Sequence, residues 1–339
     1  MLFRPVILLG MLLSMILLSA GAYADYAERG DVRAFIDEMV DNHDFDRTEL
    51  EGLFSAAERQ QGILDAIARP AERVLTWGAY RDIFLDDDRI RQGVEFWETH
   101  AEALARAEAE LGVAPEIVVA IIGVETRYGR NKGRWRVMDA LTTLAFDYPP
   151  RSSFFRRELV EFLLLVREEE RPALELRGSY AGAMGYGQFI SSSYRAYAID
   201  FTGDARRDIW DDPTDAIGSV ANYLRVHGWR DGEEITRPVT LGSGDTRSLV
   251  NSNLRPDTTV GALRGLDVGG LDGLAETAPA TLIELEAHAG TRHFVGLQNF
   301  AAITRYNHSR LYGMAVYDLS QAILLRRMEA LQMEAGSDG

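Results

Sequence analysis

Apolar residues recur three and four positions apart from Tyr26 to about Leu111, in runs such as GDVRAFIDEMVDNHDF and GILDAIARPAERVL. That spacing lines one face of a helix. The pattern breaks near Pro70 and again at Trp77-Gly78-Ala79-Tyr80, so a helical N-terminal domain is predicted over 25–110. Helical spacing resumes in FWETHAEALARAEAELG, FFRRELVEFLLLVREEE and DPTDAIGSVANYLRVHG, which make 111–233 a mainly helical central region. Between Glu234 and Leu297 the texture changes to β-branched runs, ITRPVTL and TLIELEAH, parted by Gly, Asn, Asp and Pro. A small β-rich insertion is expected there. NFAAITRYN and LYGMAVYDLSQAILLRRM return to helix over 298–333, and 334–339 reads as a frayed tail.

The first residues speak about location. Arg4 supplies a positive start, Pro5 to Leu18 an apolar run, and Ala22-Tyr23-Ala24 a small-x-small pattern. Residues 1–24 therefore read as a secretory signal peptide, with an uncleaved anchor as the alternative. The 339 residues contain no cysteine. That excludes disulfides, thiolate catalysis, zinc-cysteine sites and a lipidated N-terminal cysteine, so the chain is not expected to be a lipoprotein. The formal charge of −16, with no basic cluster interleaved with aromatics, excludes nucleic acid as a partner.

The segment APEIVVAIIGVETRYGR makes the strongest local case for chemistry. Pro115 suits the first turn of a helix, and Ile117 to Val124 is apolar on nearly every face, so the helix is expected to be buried. Glu125 arrives at its C-terminal end. Apolar neighbours and the negative end of the helix dipole both disfavour a charge there, which is what a general acid requires. The competing reading is a structural ion pair with Arg127 or Arg130. Further on, GSYAGAMGYGQF, from Gly178 to Phe189, sets Tyr180, Tyr186 and Phe189 among small residues. Those suit either close approach to a sugar or a tight helix crossing. No preceding strand and no Gly-Lys-Ser/Thr supports a phosphate loop. Asp139 and Glu158 read as helix-surface charges.

These strings, with LTTLAFDYPPRSSFFRREL between them and NFAAITRYNHS after them, stand in an order that resembles the membrane-bound lytic murein transglycosylase B family, from about Phe35 to Ile323. The resemblance implies a mainly α fold: a goose-lysozyme-like catalytic core with a helical N-terminal unit and a small β-rich insertion. It places the single acid and base on Glu125. It puts Tyr80, Ser179, Gln188, Tyr223, Tyr306, Asn307 and Tyr312 in the substrate cleft, where the residues alone would equally fit core packing. It also implies a periplasmic location and cleavage of the β-1,4 bond between N-acetylmuramic acid and N-acetylglucosamine, with closure of a 1,6-anhydro ring and no required cofactor. The partners expected are peptidoglycan glycan strands, with cell-wall synthesis or division proteins as further candidates, and the chain is expected to be a monomer. Two alternatives remain open from the residues alone: a hydrolytic muramidase, and a non-catalytic peptidoglycan-binding scaffold on the same fold.

DFTGDARRDIWDD, from Asp200, alternates oxygen donors at Asp200, Thr202 and Asp204, with the Arg206 carbonyl next. It resembles a calcium loop of the EF-hand kind. Ala205 stands where Gly makes the sharp turn, and Asp211 where a bidentate Glu closes the loop. In the resembling family a later Asp closes the site, and Asp215 fits that place. The loop therefore reads either as a structural Ca2+ or Na+ site or as a solvated acidic turn.

Overall fold

The computed structural model describes residues 25–68 and 75–337. The signal segment 1–24 and the break near Pro70 lie outside the described residues. The chain divides into two compact units, Met1–Ser55 and Ala56–Gly339. In the first, α1 (Gly30–His43) buries Val32, Phe35, Ile36 and Met39, the three- and four-residue stripe seen in the sequence. α2 (Arg47–Ala56) contributes Leu50 and Phe54, and the rings of Phe35 and Phe54 meet edge to face at 5.7 Å.

The second unit opens with α3 (Gln61–Ile67), α4 (Trp77–Phe84), α5 (Asp87–Thr99) and α6 (Ala101–Leu111), followed by α7 (Pro115–Thr126). α8 (Val137–Asp147), α9 (Ser152–Glu168), α10 (Ser191–Tyr197) and α11 (Pro213–Val226) follow. After the β-rich stretch, which includes α12 (Val260–Gly265), the chain returns in α13 (Gln298–Tyr306) and α14 (Arg310–Ser337). α14 runs past Met333, where the sequence suggested an end. α7 is the axis of this unit. Its residues Ile117 to Gly123 are all buried, because a helix apolar on every face has no side to give to water and must be wrapped. α5, α6, α11 and α14 do the wrapping. No described helix is long and apolar enough to cross a membrane.

Two short strands, β1 (Trp135–Arg136) and β2 (Arg177–Gly178), pair antiparallel. β3 (Thr236–Leu241), β4 (Thr258–Thr259), β5 (Val268–Gly269), β6 (Pro279–Ala287) and β7 (Gly290–Gly296) form an antiparallel sheet in the order β4-β6-β7-β3-β5. The runs ITRPVTL and TLIELEAH supply β3 and β6. Val239, Leu282 and Val295 of this sheet bury against Val260, Leu263 and Leu271, giving the sheet its own small core. The turn of the β6–β7 hairpin reaches α4, where His288 Nε2 lies 2.9 Å from Asp82 Oδ2.

One expectation needs correction. Asp139 and Glu158 are buried, not surface charges. Asp139 accepts the Glu58 N–H at 3.0 Å and the Arg136 guanidinium at 2.7 Å. Glu158 accepts the Ser192 N–H at 2.9 Å and its hydroxyl at 2.7 Å. Periodicity cannot distinguish an outward charge from one whose partner arrives from a distant segment. The Gly-rich stretch 178–189, left open between close approach to a sugar and a tight helix crossing, is a turn-rich loop cross-bridged between Gly178 and Met184 and between Met184 and Phe189.

Candidate active site

Glu125 occupies the last turn of α7, beyond the fully buried stretch, and is half-buried. The chain leaves the helix through three consecutive left-handed residues, Arg127, Tyr128 and Gly129, with φ of 50°, 59° and 83°. Two of the three carry a side chain, so the turn costs on the order of 1 kcal/mol at each of those two residues. Tyr186 explains the glycine: a Cβ at Gly129 would lie 2.1 Å from Cε1 of the Tyr186 ring. Thr126 fastens the same corner, its hydroxyl accepting the Gly129 N–H at 2.9 Å and donating to the Tyr186 carbonyl at 2.9 Å. The helix end and the Gly-rich loop are thus held by one hydroxyl, a role that no sequence motif announced.

Tyr312, in the first turn of α14, donates its hydroxyl to Glu125 Oε1 at 2.7 Å. Burial, and then the Glu125 charge beside it, push the Tyr312 phenol well above its ordinary value, so it remains a neutral donor. Tyr306 stacks on Tyr312 with ring centroids 6.4 Å apart and planes 10° apart. Burial and the Glu125 carboxylate raise its phenol likewise. The Tyr306 hydroxyl donates to the Gly187 carbonyl at 2.6 Å, and a Cβ at Gly187 would stand 2.7 Å from that hydroxyl. Tyr223 packs against Tyr306 at 4.7 Å and donates to the Arg305 carbonyl at 2.6 Å, its phenol pushed up to about 12 by burial. Tyr80 is buried on α4 against Phe84, close enough to Tyr312 to raise its phenol further. Asn307 follows Tyr306 in the short link to α14, and its carbonyl accepts the Ser309 N–H at 2.7 Å.

The Gly-rich loop supplies the remaining polar groups. Ser179 Oγ accepts the N–H groups of Ala181 at 3.3 Å and Ala183 at 3.1 Å, which fills its acceptor side and leaves its proton to offer. Gln188 has the reverse arrangement. Its amide nitrogen donates to the carbonyls of Lys132 at 3.2 Å and Gly185 at 3.1 Å, leaving its oxygen as an acceptor. Tyr180 is exposed on the same loop. Arg127, considered as an ion-pair partner for Glu125, instead reaches Gln92 at 2.9 Å and Asp86 at 3.4 Å.

Two cavities lie in this region. A cavity of about 540 Å3 is walled by Gln188, Phe189, Tyr223 and Tyr306. A second of about 710 Å3, lined by Trp77, Arg310 and Leu311, shares Arg151 and His308 with the first. Glu125 lines neither; Tyr312, which donates to it, stacks on Tyr306 of the first cavity's wall.

In the 200–215 loop, carboxylate oxygens of Asp200, Asp204 and Asp215 lie within 4.8 Å of one another. Asp200 Oδ1 accepts the Gly203 N–H at 2.6 Å and the Thr202 hydroxyl at 3.2 Å. The Arg206 N–H donates to Asp204 Oδ1 at 2.9 Å. Asp215 is buried and accepts the N–H groups of Phe201, Thr202 and Asp208, each at 2.8 Å. Asp211 instead lies 3.5 Å from Lys132 Nζ. Three hard oxygen donors at this separation fit a small hard cation.

The family described as Transglycosylase SLT domain matches residues 27–321. The chain belongs to this family. Among transglycosylase relatives, the membrane-bound lytic murein transglycosylase B of Escherichia coli (strain K12) is 42% identical over 314 residues, covering 90% of this chain and 86% of the relative. The crystal structure of the catenated lytic transglycosylase SltB1 from Pseudomonas aeruginosa is 51% identical, with a TM-score of 0.86, covering 89% of this chain and 100% of that one. The Escherichia coli lytic transglycosylase SLT35 in complex with calcium is 42% identical, with a TM-score of 0.81, covering 90% of this chain and 96% of that one. Pseudomonas aeruginosa SltB3, solved with NAG-NAM-pentapeptide, is 33% identical, with a TM-score of 0.77, covering 86% of this chain and 78% of that one. The mainly α, lysozyme-like architecture expected from the sequence is the architecture that these transglycosylases share.

Proposed function

We propose that this transglycosylase cleaves the β-1,4 bond between N-acetylmuramic acid and N-acetylglucosamine in peptidoglycan, with Glu125 as its single acid and base. The observation that carries the reading is the Tyr312 hydroxyl 2.7 Å from Glu125 Oε1, with the Tyr312 ring stacked on Tyr306 of the cavity wall. A neutral phenol that donates to Oε1 fixes the orientation of the carboxyl group. Protonated Glu125 gives its proton to the glycosidic oxygen as the C1–O bond breaks, and the N-acetyl group of the muramic acid stabilises the developing cation. The carboxylate then takes the proton of the C6 hydroxyl as that oxygen bonds to C1. The product is a 1,6-anhydro ring, and Glu125 regains its proton without consuming water.

The remaining groups fall into place around this step. Ser179, with its proton to give, suits the acetamide carbonyl; Gln188, with its oxygen to give, suits a sugar hydroxyl or N–H. Asn307 adds a polar contact, and Tyr80, Tyr223, Tyr306 and Tyr312 form the walls. We read the 200–215 loop as a structural cation site formed by Asp200, Asp204 and Asp215 with oxygens of Thr202 and Arg206, on the strength of the clustered carboxylates and of the calcium held by a relative. We read 234–297 as an insertion into the core formed by 111–233 and 298–333, and periplasmic export as the task of 1–24. Glu125→Gln tests the central assignment. The amide keeps the shape but neither gives nor takes the proton, so glycan cleavage is expected to fall by at least about 10²-fold with an unchanged melting temperature. Retained clearing of sacculi by that variant would remove the assignment.

A further inference from the structure

Gln188 holds a backbone conformation that its residue type avoids. Its φ is 50°, in the left-handed region, although it carries a side chain. Such a residue stays there only where its surroundings fix it. Here the fixing is done by its own amide, which donates to the carbonyls of Gly185 at 3.1 Å and Lys132 at 3.2 Å. The Gly185 bond is local, but the Lys132 bond reaches 56 residues back, to the turn that leaves α7. The position of the Lys132 carbonyl therefore decides where the Gln188 oxygen points.

The Lys132 side chain settles that position. Its ammonium donates to the Trp210 carbonyl, lies 4.8 Å from the centre of the Tyr186 ring and stands 3.5 Å from Asp211 Oδ1. Tyr186 belongs to the same loop as Gln188, and its N–H donates to the Ile209 carbonyl at 3.0 Å. The anchor is firm. Asp208 accepts the N–H groups of Trp210 at 3.0 Å and Asp211 at 2.9 Å, and its own N–H donates to the buried Asp215 at 2.8 Å. One ammonium thus joins the exit of α7, the Gly-rich loop and the 208–211 segment. The ion pair contributes little, because Asp211 is mostly exposed to water. The carbonyl bond and the ring contact carry the tie.

We propose that Lys132 is a positioning residue for Gln188, orienting the amide whose oxygen meets the sugar; the role rests on the reading of Gln188 as a substrate contact. The test is a double-mutant cycle in the whole enzyme on soluble peptidoglycan strands, with Lys132→Met, Gln188→Ala and the pair. Met keeps a side chain of similar length over the Tyr186 ring and removes the donor and the charge. Lys132→Met is expected to raise KM about fivefold, the worth of one hydrogen bond, with kcat changed less than about twofold. In the Gln188→Ala background the same substitution is expected to change KM by less than about twofold, because the group it positions is gone. Lys132→Arg keeps a donor and is expected to recover most of the loss. A full rise in KM in the Gln188→Ala background would mean that the lysine charge acts on the substrate directly, and would overturn the proposal. KM unchanged in Lys132→Met while Gln188→Ala raises it would also overturn the proposal, whatever the melting midpoint, and would leave the reading of Gln188 standing. Gln188→Ala with the KM of wild type would fail that reading, and the proposal with it. If Lys132→Met does not melt cooperatively, Lys132→Gln, neutral and one atom shorter, takes its place with the same expected outcomes.

Discussion

Two carboxylate sites in this molecule are built in opposite ways. Glu125 takes its hydrogen bond from Tyr312, 187 residues along the chain, on a helix that returns only after the β-rich segment. Asp200 takes its bonds from Thr202 to Ala205, all within five residues. The first geometry exists only when α7 and α14 are packed; the second is written into one turn. Distant packing can make a proton donor and acceptor because it excludes water and fixes the partner. A local turn collects oxygens in the open and serves to hold a segment in shape.

That contrast can be broken in order of effect. Asp215 joins the two regimes, since it is buried yet closes the loop through three N–H groups. Asp215→Asn turns an N–H donor toward the Asp208 N–H, or leaves that N–H unpaired. It is expected to cost about 2–3 kcal/mol of stability, read as a lower thermal midpoint. A midpoint unchanged within error would show that the loop carries none of the fold. Tyr312→Phe keeps the ring and removes the donor to Glu125. Cleavage is expected to drop about 10- to 100-fold, the value of a hydrogen bond to a charged group, with a smaller change in melting. An activity loss no greater than the stability loss would make Tyr312 a packing residue. Ala205→Gly is the smallest change. Ala205 sits at φ 69°, in the left-handed region that the sequence flagged by its missing glycine. Relief of that strain is expected to add about 1 kcal/mol, less the entropy glycine costs, and to leave kcat/KM for glycan cleavage as it was. A lower midpoint would mean that the methyl group is packed and not strained.

The same contrast explains what could be read from the sequence. The stripe of α1, the all-apolar run of α7 and the β-branched runs of β3 and β6 were legible because one short segment contains the whole signal. Glu125 was legible as a carboxylate ending a buried helix, and Asp200, Asp204 and Asp215 by spacing and resemblance. Tyr312 was legible only by resemblance, and its bond to Glu125 not at all. Thr126 as the corner fastener and the burial of Asp139 and Glu158 have no local signature. Each depends on which distant segment arrives beside it. β1 and β2 have two residues apiece, too few to show alternation.

The central claim is that one carboxyl group suffices because the substrate's own C6 hydroxyl does the attacking. Digestion of purified sacculi in heavy-oxygen water, with mass spectrometry of the released fragments, tests it most directly. The account predicts fragments ending in the anhydro ring and carrying no heavy oxygen from the solvent. Reducing ends labelled by the solvent would contradict it, for they would show that water, and not the sugar, had attacked.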